Sequence, residues 1–430
     1  MLAHHLLHAP VMQPRSYFTS LLFSSLLLCP ALLRGDVQIS INGAPSYALK
    51  HNPDIAAARM RIVEAQGRLH QAGRLSNPEL EFDNNKNPRS SERNVGVAFN
   101  QKFPLTARLS QEKTLSRQQL AQAEAEVRNE ERKLIAEVNA AAIKLLVADQ
   151  KLALVEAQLK VSNSLVEVVE KRTQAGEIAA SDAAQLAIDN QNRLLELQQI
   201  TGQKAVLVNE LKPLLGVSAT NGLTLTGSLP AISNGAKGID VQGRPDLNSS
   251  RIAQSVAQSE VDLAKSSRWE DIGVGLTVEH EKSEDAPEGI RGDSFVGFRI
   301  SLPLPLWNKQ KGLIAEKEAA QQRAVLETKA LESRIQSEAA AARAEMAASA
   351  RLYSETKTKL LPTIERHSQT IEKAYSVGEA DAMALLRSRE QKLHAETAAL
   401  DALQSYHLAR ARHEAATATQ PALRSSGSSK

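Results

Sequence analysis

No glycine or proline occurs between Pro104 and Gly176 in this 430-residue chain. These two residue types are the ones that most often end or interrupt helices, so their absence over a long run is informative. The run predicts a single helix over Leu105–Ala175, which would be roughly 100 Å long at the usual rise per residue. A helix of that length cannot lie inside an ordinary globular domain, so the chain must pack its helices in another way.

The second half of the chain has the same feature. Leu313–Leu361 contains neither residue, Pro362 interrupts the run, and Thr363–Val377 continues it. After Gly378, the stretch Glu379–Gln420 is free of both again. Only 3% of the residues are aromatic, although 42% are hydrophobic. Since aromatic side chains usually dominate compact cores, this composition favours long helices packed side by side.

Heptad spacing on the first long run indicates how it packs. Apolar residues recur every seven positions in two rows, which is typical of coiled-coil seams. Two seams on one helix predict two neighbouring helices, and one broad amphipathic face is the alternative. The first row is Leu134, Val138, Ala141, Leu145, Ala148, Leu152, Val155, Leu159 and Val166, and the second is Ala140, Val147, Leu154, Val161 and Val168.

The chain repeats itself at a spacing of roughly 200 residues. Three anchors appear twice in the same order, which is the signature of a duplicated unit. Each unit reads helix, β-hairpin, very long helix, turn and helix. The anchors are Asn52-Pro53-Asp54-Ile55 with Arg244-Pro245-Asp246-Leu247, Val95–Phe99 with Val296–Ile300, and Ala175-Gly176-Glu177 with Val377-Gly378-Glu379.

Alternating apolar residues before each long helix predict β-hairpins. The alternation places Val95, Val97 and Phe99 in one strand and Val296, Phe298 and Ile300 in another. Polar loops are predicted over Asn84–Asn94 and Glu281–Asp293. Four strands are too few to close a barrel, which needs about eight or more. The strands must therefore lie on a globular body or be pooled by several chains.

The first 34 residues are predicted to be a secretory signal peptide. Arg15 precedes the apolar stretch Tyr17–Leu33, which serine and threonine interrupt. A transmembrane anchor is the alternative, but it needs a nearly continuous apolar run. Met12 is a second candidate for the start, and lipidation of Cys29 is left open. The remaining chain divides into a first repeat at 35–216, a linker at 217–243, a second repeat at 244–416 and a disordered tail at 417–430.

Several function classes have nothing in the sequence to support them. The net charge of +3 is too balanced to favour a nucleic-acid partner. A single cysteine excludes a disulfide framework. His394, His407 and His413 lack the spacing that places two metal ligands on one helical face. No catalytic motif is present, so no enzyme, cofactor or metal site is predicted.

Taken in order, these duplicated motifs resemble the TolC family of outer-membrane efflux channels. The resemblance covers nearly the whole chain after the signal peptide. Pro303–Asn308 also resembles the cobalt–zinc–cadmium (CzcC-like) branch. The other motifs are Ala48-Leu49, Asn52-Pro53, Phe103-Pro104-Leu105, Ala175-Gly176-Glu177 with Ser181-Asp182, Arg244–Leu247, Leu360-Leu361-Pro362 and Tyr375–Glu379.

The resemblance implies a mainly α fold with a β-barrel portion. Three copies would pool twelve strands into one barrel in outer-membrane lipid, and their helices would form a tunnel through the periplasm. The expected function is passive export of small solutes, such as heavy-metal cations or drugs, received from a periplasmic adaptor (membrane fusion protein) and an inner-membrane pump of the RND type. A type I protein secretion duct and a periplasmic coiled-coil scaffold without a pore are the alternatives. The residues expected at the adaptor-docking tip are Gly176, Glu177, Ser181, Asp182, Gly378, Glu379 and Asp381.

Overall fold

A computed structural model describes residues 36–232, 241–285, 287, 289–417 and 419. The predicted signal peptide, Cys29 and nearly all of the predicted tail lie outside these residues. Among the helices that the model describes, none is both long and apolar enough to cross a bilayer.

The described residues form helices and strands in the order that the repeat predicts. Two short strands, β1 and β4, and one short helix, α1, were not expected from the repeat pattern. The elements are β1 (Val37–Ser40), α1 (Ala44–His51), α2 (Pro53–Gln71), β2 (Glu79–Lys86), β3 (Arg93–Phe103), α3 (Arg108–Gln174), α4 (Ala180–Leu215), β4 (Leu223–Thr226), α5 (Pro245–Ser266), β5 (Ile272–Asp285), β6 (Gly289–Ser301), α6 (Lys311–Glu355), α7 (Leu361–Ser376) and α8 (Ala382–Ala416).

The long helix α3 is 67 residues and ends within one residue of the predicted position. It packs against α2, α4, α5 and α8. The prediction that α3 contacts more than one neighbouring helix is therefore met. Val138 and Val147 are fully buried, one from each predicted row. Val161 and Val168 are instead 44% and 46% exposed. A straight helix drifts by about 20° per heptad against a strict seven-residue repeat, so the second row leaves the contact towards the C-terminus.

Pro362 does not break the second long helix but changes its winding. A π-helical turn, Thr356–Leu360, joins α6 to α7. Pro362 lies in the first turn of α7. Proline cannot donate the regular backbone hydrogen bond, and a locally wider turn accommodates that loss without ending the helix.

Both predicted hairpins belong to one antiparallel sheet of four strands in the order β2-β3-β5-β6. The hairpins of the two repeats therefore lie side by side, joined by the pairing of β3 with β5. The segment predicted to be only a linker contains β4, which pairs in parallel with β1. These short strands sit on a core cluster that includes Ile39, Leu134, Leu211 and Leu225.

The predicted polar loops of the hairpins are wrong in extent. Strand β2 continues to Lys86 and β3 begins at Arg93, so only 87–92 connect them. Likewise, β5 continues to Asp285 and β6 begins at Gly289. Polar side chains do not end a strand whose ladder is made by backbone groups, and so polarity alone placed the loops too early.

Two helix ends meet at Asn52, between α4 and α2. The Asn52 side-chain oxygen accepts from the amides of Asp54 at 2.8 Å and Ile55 at 3.1 Å, which caps α2. Its Nδ2 donates to the carbonyl oxygens of Pro213 at 3.3 Å and Leu214 at 3.0 Å, in the last turn of α4. One buried side chain therefore satisfies unpaired groups at both helix ends.

The matching junction in the second repeat uses guanidinium groups. Arg244 donates to the carbonyl oxygen of Ala416 at 3.4 Å and pairs with Asp246 in the first turn of α5. Arg132, from α3, donates to the carbonyl oxygen of Ala415 at 3.2 Å. Burial, followed by the charge of Arg244, lowers the pKa of Arg132. The repeat keeps Pro-Asp at the start of each helix but changes the side chain that joins it to the helix end.

Replacing Asn52 with alanine should lower the free energy of unfolding by about 2 kcal/mol, because a cap and two carbonyl partners are lost together. Denaturant unfolding of the purified protein measures this loss. Asn248→Ala, at an exposed position of α5, is the control and should be neutral or slightly stabilising. Equal stability of the Asn52 variant and the native protein would show that the junction does not hold α4 to α2.

Candidate functional site

One face of the four-stranded sheet is apolar and uncovered. Facing residues form continuous rows across all four strands. In one row, Phe82 is 71% exposed and Val296 is 81% exposed. A sheet in water normally buries such a face, so these side chains are suited to a hydrocarbon environment. The rows are Leu80, Phe99, Leu276 and Phe298, then Phe82, Val97, Val278 and Val296, with Val274 beside Ile300.

All six residues predicted for barrel strands lie in this sheet. Val97, Phe99, Val296, Phe298 and Ile300 are exposed on the apolar face, and Val95 lies half-buried on the same face. The strict alternation seen in the sequence is therefore the alternation of the two faces. The prediction that the hairpins have one apolar face is confirmed.

The opposite face of the sheet is polar. It carries acidic residues such as Glu81, Asp83 and Glu279, with Ala98 and Gly96 opposite them in β3 and the exposed Phe295 beside Glu279 in β6. At its helical end, this face borders a groove of about 700 Å³ lined by Glu79, Lys102 and other charged residues. Apolar residues on one face and charged residues on the other are the pattern of a barrel wall between lipid and water.

An ion pair fixes the junction between the sheet and the helices at this groove. Arg108, at the start of α3, lies 2.7 Å from Asp271, which directly precedes β5. It also lies 2.7 Å from Glu112 one turn along α3. Thr106 donates to the carbonyl oxygen of Ser266 at 3.2 Å. This contact could not be predicted from local sequence, because its two partners are distant in the chain and neither belongs to a motif.

The two predicted tip turns have nearly identical geometry. Gly176 and Gly378 both have φ of 78°, in the left-handed region. After each glycine, the next amide donates back to a helix carbonyl: Glu177 to Arg172 at 2.9 Å, and Glu379 to Ala374 at 2.8 Å. This pattern is the Schellman cap that ends a helix. The left-handed caps predicted from the sequence are therefore present in both repeats.

The structure brings the two tip turns to the same end of the helices. A core cluster from α3, α4 and α8 lies beside both turns and includes Leu165, Val169 and Leu385. Ile178 of the first turn and Tyr375 of the second pack against it. The two turns, which correspond to each other in the sequence repeat, therefore lie close together in the structure and pack on one apolar cluster.

The predicted tip residues differ in what they contact. Asp381 accepts from the amide of Ala384 at 2.6 Å and so caps α8. Ser181 donates to Asp182 at 3.2 Å in the first turn of α4. Glu177 is exposed, and its carboxylate lies 3.9 Å from Arg172. Glu379 is also exposed. Glu177 and Glu379 are therefore the tip carboxylates most available to solvent or to a partner.

A polar layer that the sequence did not indicate lies further along the helices from the tip. Asp189 of α4 is buried and faces Glu390 of α8. Arg193 lies 3.7 Å from Glu390 and donates to Glu196 at 3.0 Å. Burial, and then the charge and hydrogen bond of Asp189, raise the pKa of Glu390. Burial and the neighbouring carboxyl group of Asp189 thus both disfavour the charged form of Glu390.

Two of the three histidines of α8 are packed, and the third, His394, is exposed. His407 and His413 are buried, and burial lowers the pKa of both, to about 4 for His407. Within the residues that the model describes, no group of three or more histidine, cysteine or acidic residues is arranged to hold a metal ion.

The single substitutions Gly176→Ala and Gly378→Ala should each lower the free energy of unfolding by about 1 kcal/mol. The reason is that a side chain disfavours the left-handed conformation. An added Cβ would meet no atom within 4 Å at either glycine, so the loss comes from the backbone alone. Gly202→Ala, in the middle of α4 and equally open, is the control and should gain about 0.5–1 kcal/mol. Thermal unfolding compares the three variants. If the tip variants and the control changed the free energy of unfolding in the same direction, the assignment of left-handed caps would be contradicted.

The Asp189–Glu390 pair should make stability depend on pH. A raised pKa means that the folded state holds a proton more tightly, so the contribution is complete at low pH and is lost as pH rises through the folded pKa of Glu390. Glu390→Gln should remove this dependence, whereas the exposed Glu170→Gln should retain it. Melting temperature measured against pH tests this, and an unchanged profile in Glu390→Gln would rule the pair out as its source.

Comparisons with known proteins agree with this geometry. Residues 44–217 match the family model described as outer membrane efflux protein. The fold is similar to that of VceC from Vibrio cholerae, with a TM-score of 0.70 and 20% identity, covering 88% of this chain and 95% of that one. No curated protein matches the sequence significantly.

Two further solved structures have the same fold. CmeC of Campylobacter jejuni, described as an outer membrane channel, has a TM-score of 0.72 and 16% identity, covering 88% of this chain and 85% of that one. CusC, whose description concerns transmembrane channel formation, has a TM-score of 0.71 and 17% identity, covering 88% and 91%. The fold expected from the resemblance to the TolC family is confirmed, and residues 44–217 are similar to the outer membrane efflux protein family model.

Proposed function

We propose that this protein is the outer-membrane exit duct of an efflux system and acts passively. The observation that carries the proposal is the four-stranded sheet with an exposed apolar face and a charged opposite face. A scaffold without a pore would have no use for such a sheet. The similar solved structures VceC and CmeC, described as an outer membrane protein and an outer membrane channel, support the same location.

Three copies account for the sheet. Strands β2 and β6 lie at its two edges, each paired on one side only. Joining β6 of one copy to β2 of the next would close twelve strands into a barrel and leave no edge in the lipid. The apolar rows would face acyl chains, and the charged face would line the pore. The helices would continue the pore into the periplasm, with both tip turns at its far end.

The tip turns are the proposed docking surface for a periplasmic adaptor, with an inner-membrane pump of the RND type behind it. Gly176 and Gly378 shape the turns, Asp381 caps α8, and Ser181 and Asp182 lie in the first turn of α4. Glu177 and Glu379 are exposed there. Three copies of each would give a ring of carboxylates, which attracts cations. This favours small cationic solutes, including heavy-metal cations and cationic drugs, as cargo over unfolded protein.

Purified protein added to planar lipid bilayers should form pores with a preference for cations. Glu177→Gln combined with Glu379→Gln should reduce that preference severalfold without abolishing conductance, because neutral rings no longer attract cations. Glu64→Gln, an exposed position on α2, is the matched control and should leave selectivity unchanged. Absence of any conductance from correctly folded oligomers would contradict the channel function.

Loss of the gene should also make cells sensitive to the cargo. Growth of a deletion strain on zinc, cobalt, cadmium, copper and common drugs separates metal export from drug export. Normal growth on all of these together with loss of a secreted protein would instead favour a type I secretion duct.

A further inference from the structure

The connector between β6 and α6 exposes an unusual run of apolar side chains. Leu302, Leu304 and Leu306 are 48%, 58% and 61% exposed. Trp307 is 93% exposed, more than any other large hydrophobic residue that the model describes. A contiguous exposed apolar patch is unfavourable in water. Trp307 and the three leucines beside it therefore mark a surface that binds a partner or lipid.

The connector continues the apolar face of the sheet. Pro303 and Pro305 are half-buried, and Pro303 lines the charged groove beside Arg299. The three leucines alternate with these prolines in the sequence, are exposed, and are not among the residues that line the groove. Leu302 follows Ile300 in the even-numbered alternation of β6, and the connector turns further along, where the amide of Leu306 donates to the carbonyl oxygen of Leu304 at 2.8 Å. The outward apolar surface therefore reaches beyond the last paired residue of the sheet.

The chain turns sharply directly after Trp307. The side-chain oxygen of Asn308 accepts from the amide of Gln310 at 3.1 Å. Gln310 has φ of 55° and is the one non-glycine residue in the described part of the chain with positive φ. Lys309 and Lys311 flank it, are exposed, and form no ion pair with any residue that the model describes. The turn thus presents two free ammonium groups next to the exposed indole.

We propose that Leu302–Lys311 is an anchor at the membrane interface that binds anionic phospholipid. The leucines would contact acyl chains, the indole of Trp307 would lie among the headgroups, and Lys309 and Lys311 would bind lipid phosphates. Tryptophan suits this layer because its ring is apolar and its N–H is polar, and lysine is attracted to an anionic surface. The inference rests on the proposed outer-membrane function, because the anchor would extend the apolar face of the sheet that this function places in lipid.

The first repeat has no counterpart of Trp307 followed by Lys309 and Lys311. Its matching connector exposes Phe103 and Leu105, at 44% and 45%, but the residues that follow are Thr106 and Ala107. Its nearby cations, Lys102 and Arg108, are already paired with Glu79 and Asp271. Charge complementarity to lipid phosphate is therefore confined to the second connector.

The chain contains two tryptophans, Trp269 and Trp307, and this makes a direct test possible. Trp269 lines the charged groove on the opposite face of the sheet. Trp269→Phe leaves Trp307 as the sole fluorophore, and Trp307→Phe leaves Trp269 as its matched control. Each variant is inserted into vesicles of phosphatidylcholine and phosphatidylglycerol, in which bromine lies near the headgroup or near the end of the acyl chain.

Trp307 should be quenched by bromine near the headgroup at least about twofold more than Trp269, and aqueous iodide should quench it weakly. Strong quenching by iodide with none by bromine would overturn the inference. Lys309→Gln with Lys311→Gln should abolish the difference in Trp307 quenching between anionic and neutral vesicles, while the exposed Lys329→Gln should preserve it. A difference that persists in the double variant would also overturn the assignment of phosphate binding.

Vesicle flotation distinguishes a failure of the proposed lipid anchor from a failure of the proposed outer-membrane function. Protein that floats with the vesicles but shows no bromine quenching of Trp307 contradicts the anchor alone. Folded protein that never floats with vesicles contradicts the outer-membrane function, and the anchor with it.

Discussion

Unpaired backbone groups along β2 and β6 are the constraint on which the rest of this structure depends. Each of these strands is hydrogen-bonded on one side only, at opposite edges of the same sheet. In water an open edge invites aggregation, and in lipid it leaves polar groups without partners. The apolar face of the sheet makes the second environment the relevant one. The proposed pairing with further copies would close these edges and satisfy both the backbone and the side chains.

Long helices packed side by side need continuity where shorter helices end. The chain meets this need at two junctions, one formed by Asn52 and the other by Arg244 with Arg132. Helix ends carry unpaired amides and carbonyls, so abutting two ends inside a structure is costly unless side chains bridge them. Asn52 bridges with an amide group, and the second repeat bridges with buried guanidinium groups. The duplicated units thus solved one physical problem with different chemistry.

The sequence predicted those features that depend on local rules. The absence of helix breakers located α3, Gly176 and Gly378 marked the two left-handed caps, and alternation located the apolar face of the sheet. Features that depend on pairing between distant residues were not predictable. The Asp189–Glu390 pair, the Arg108–Asp271 ion pair and the pairing of β4 with β1 carry no local signature. Strand ends were misplaced because side-chain polarity does not report backbone pairing.

Hydrogen–deuterium exchange of the oligomer in detergent tests the central claim most directly, because it reports on the edge amides themselves. If copies pair through their edges, peptides covering β2 (Glu79–Lys86) and β6 (Gly289–Ser301) should be protected as strongly as those covering the inner strands β3 and β5. Dissociation into single copies should remove protection from β2 and β6 first. Rapid exchange of both edge strands in the intact oligomer, with β3 and β5 protected, would contradict the account.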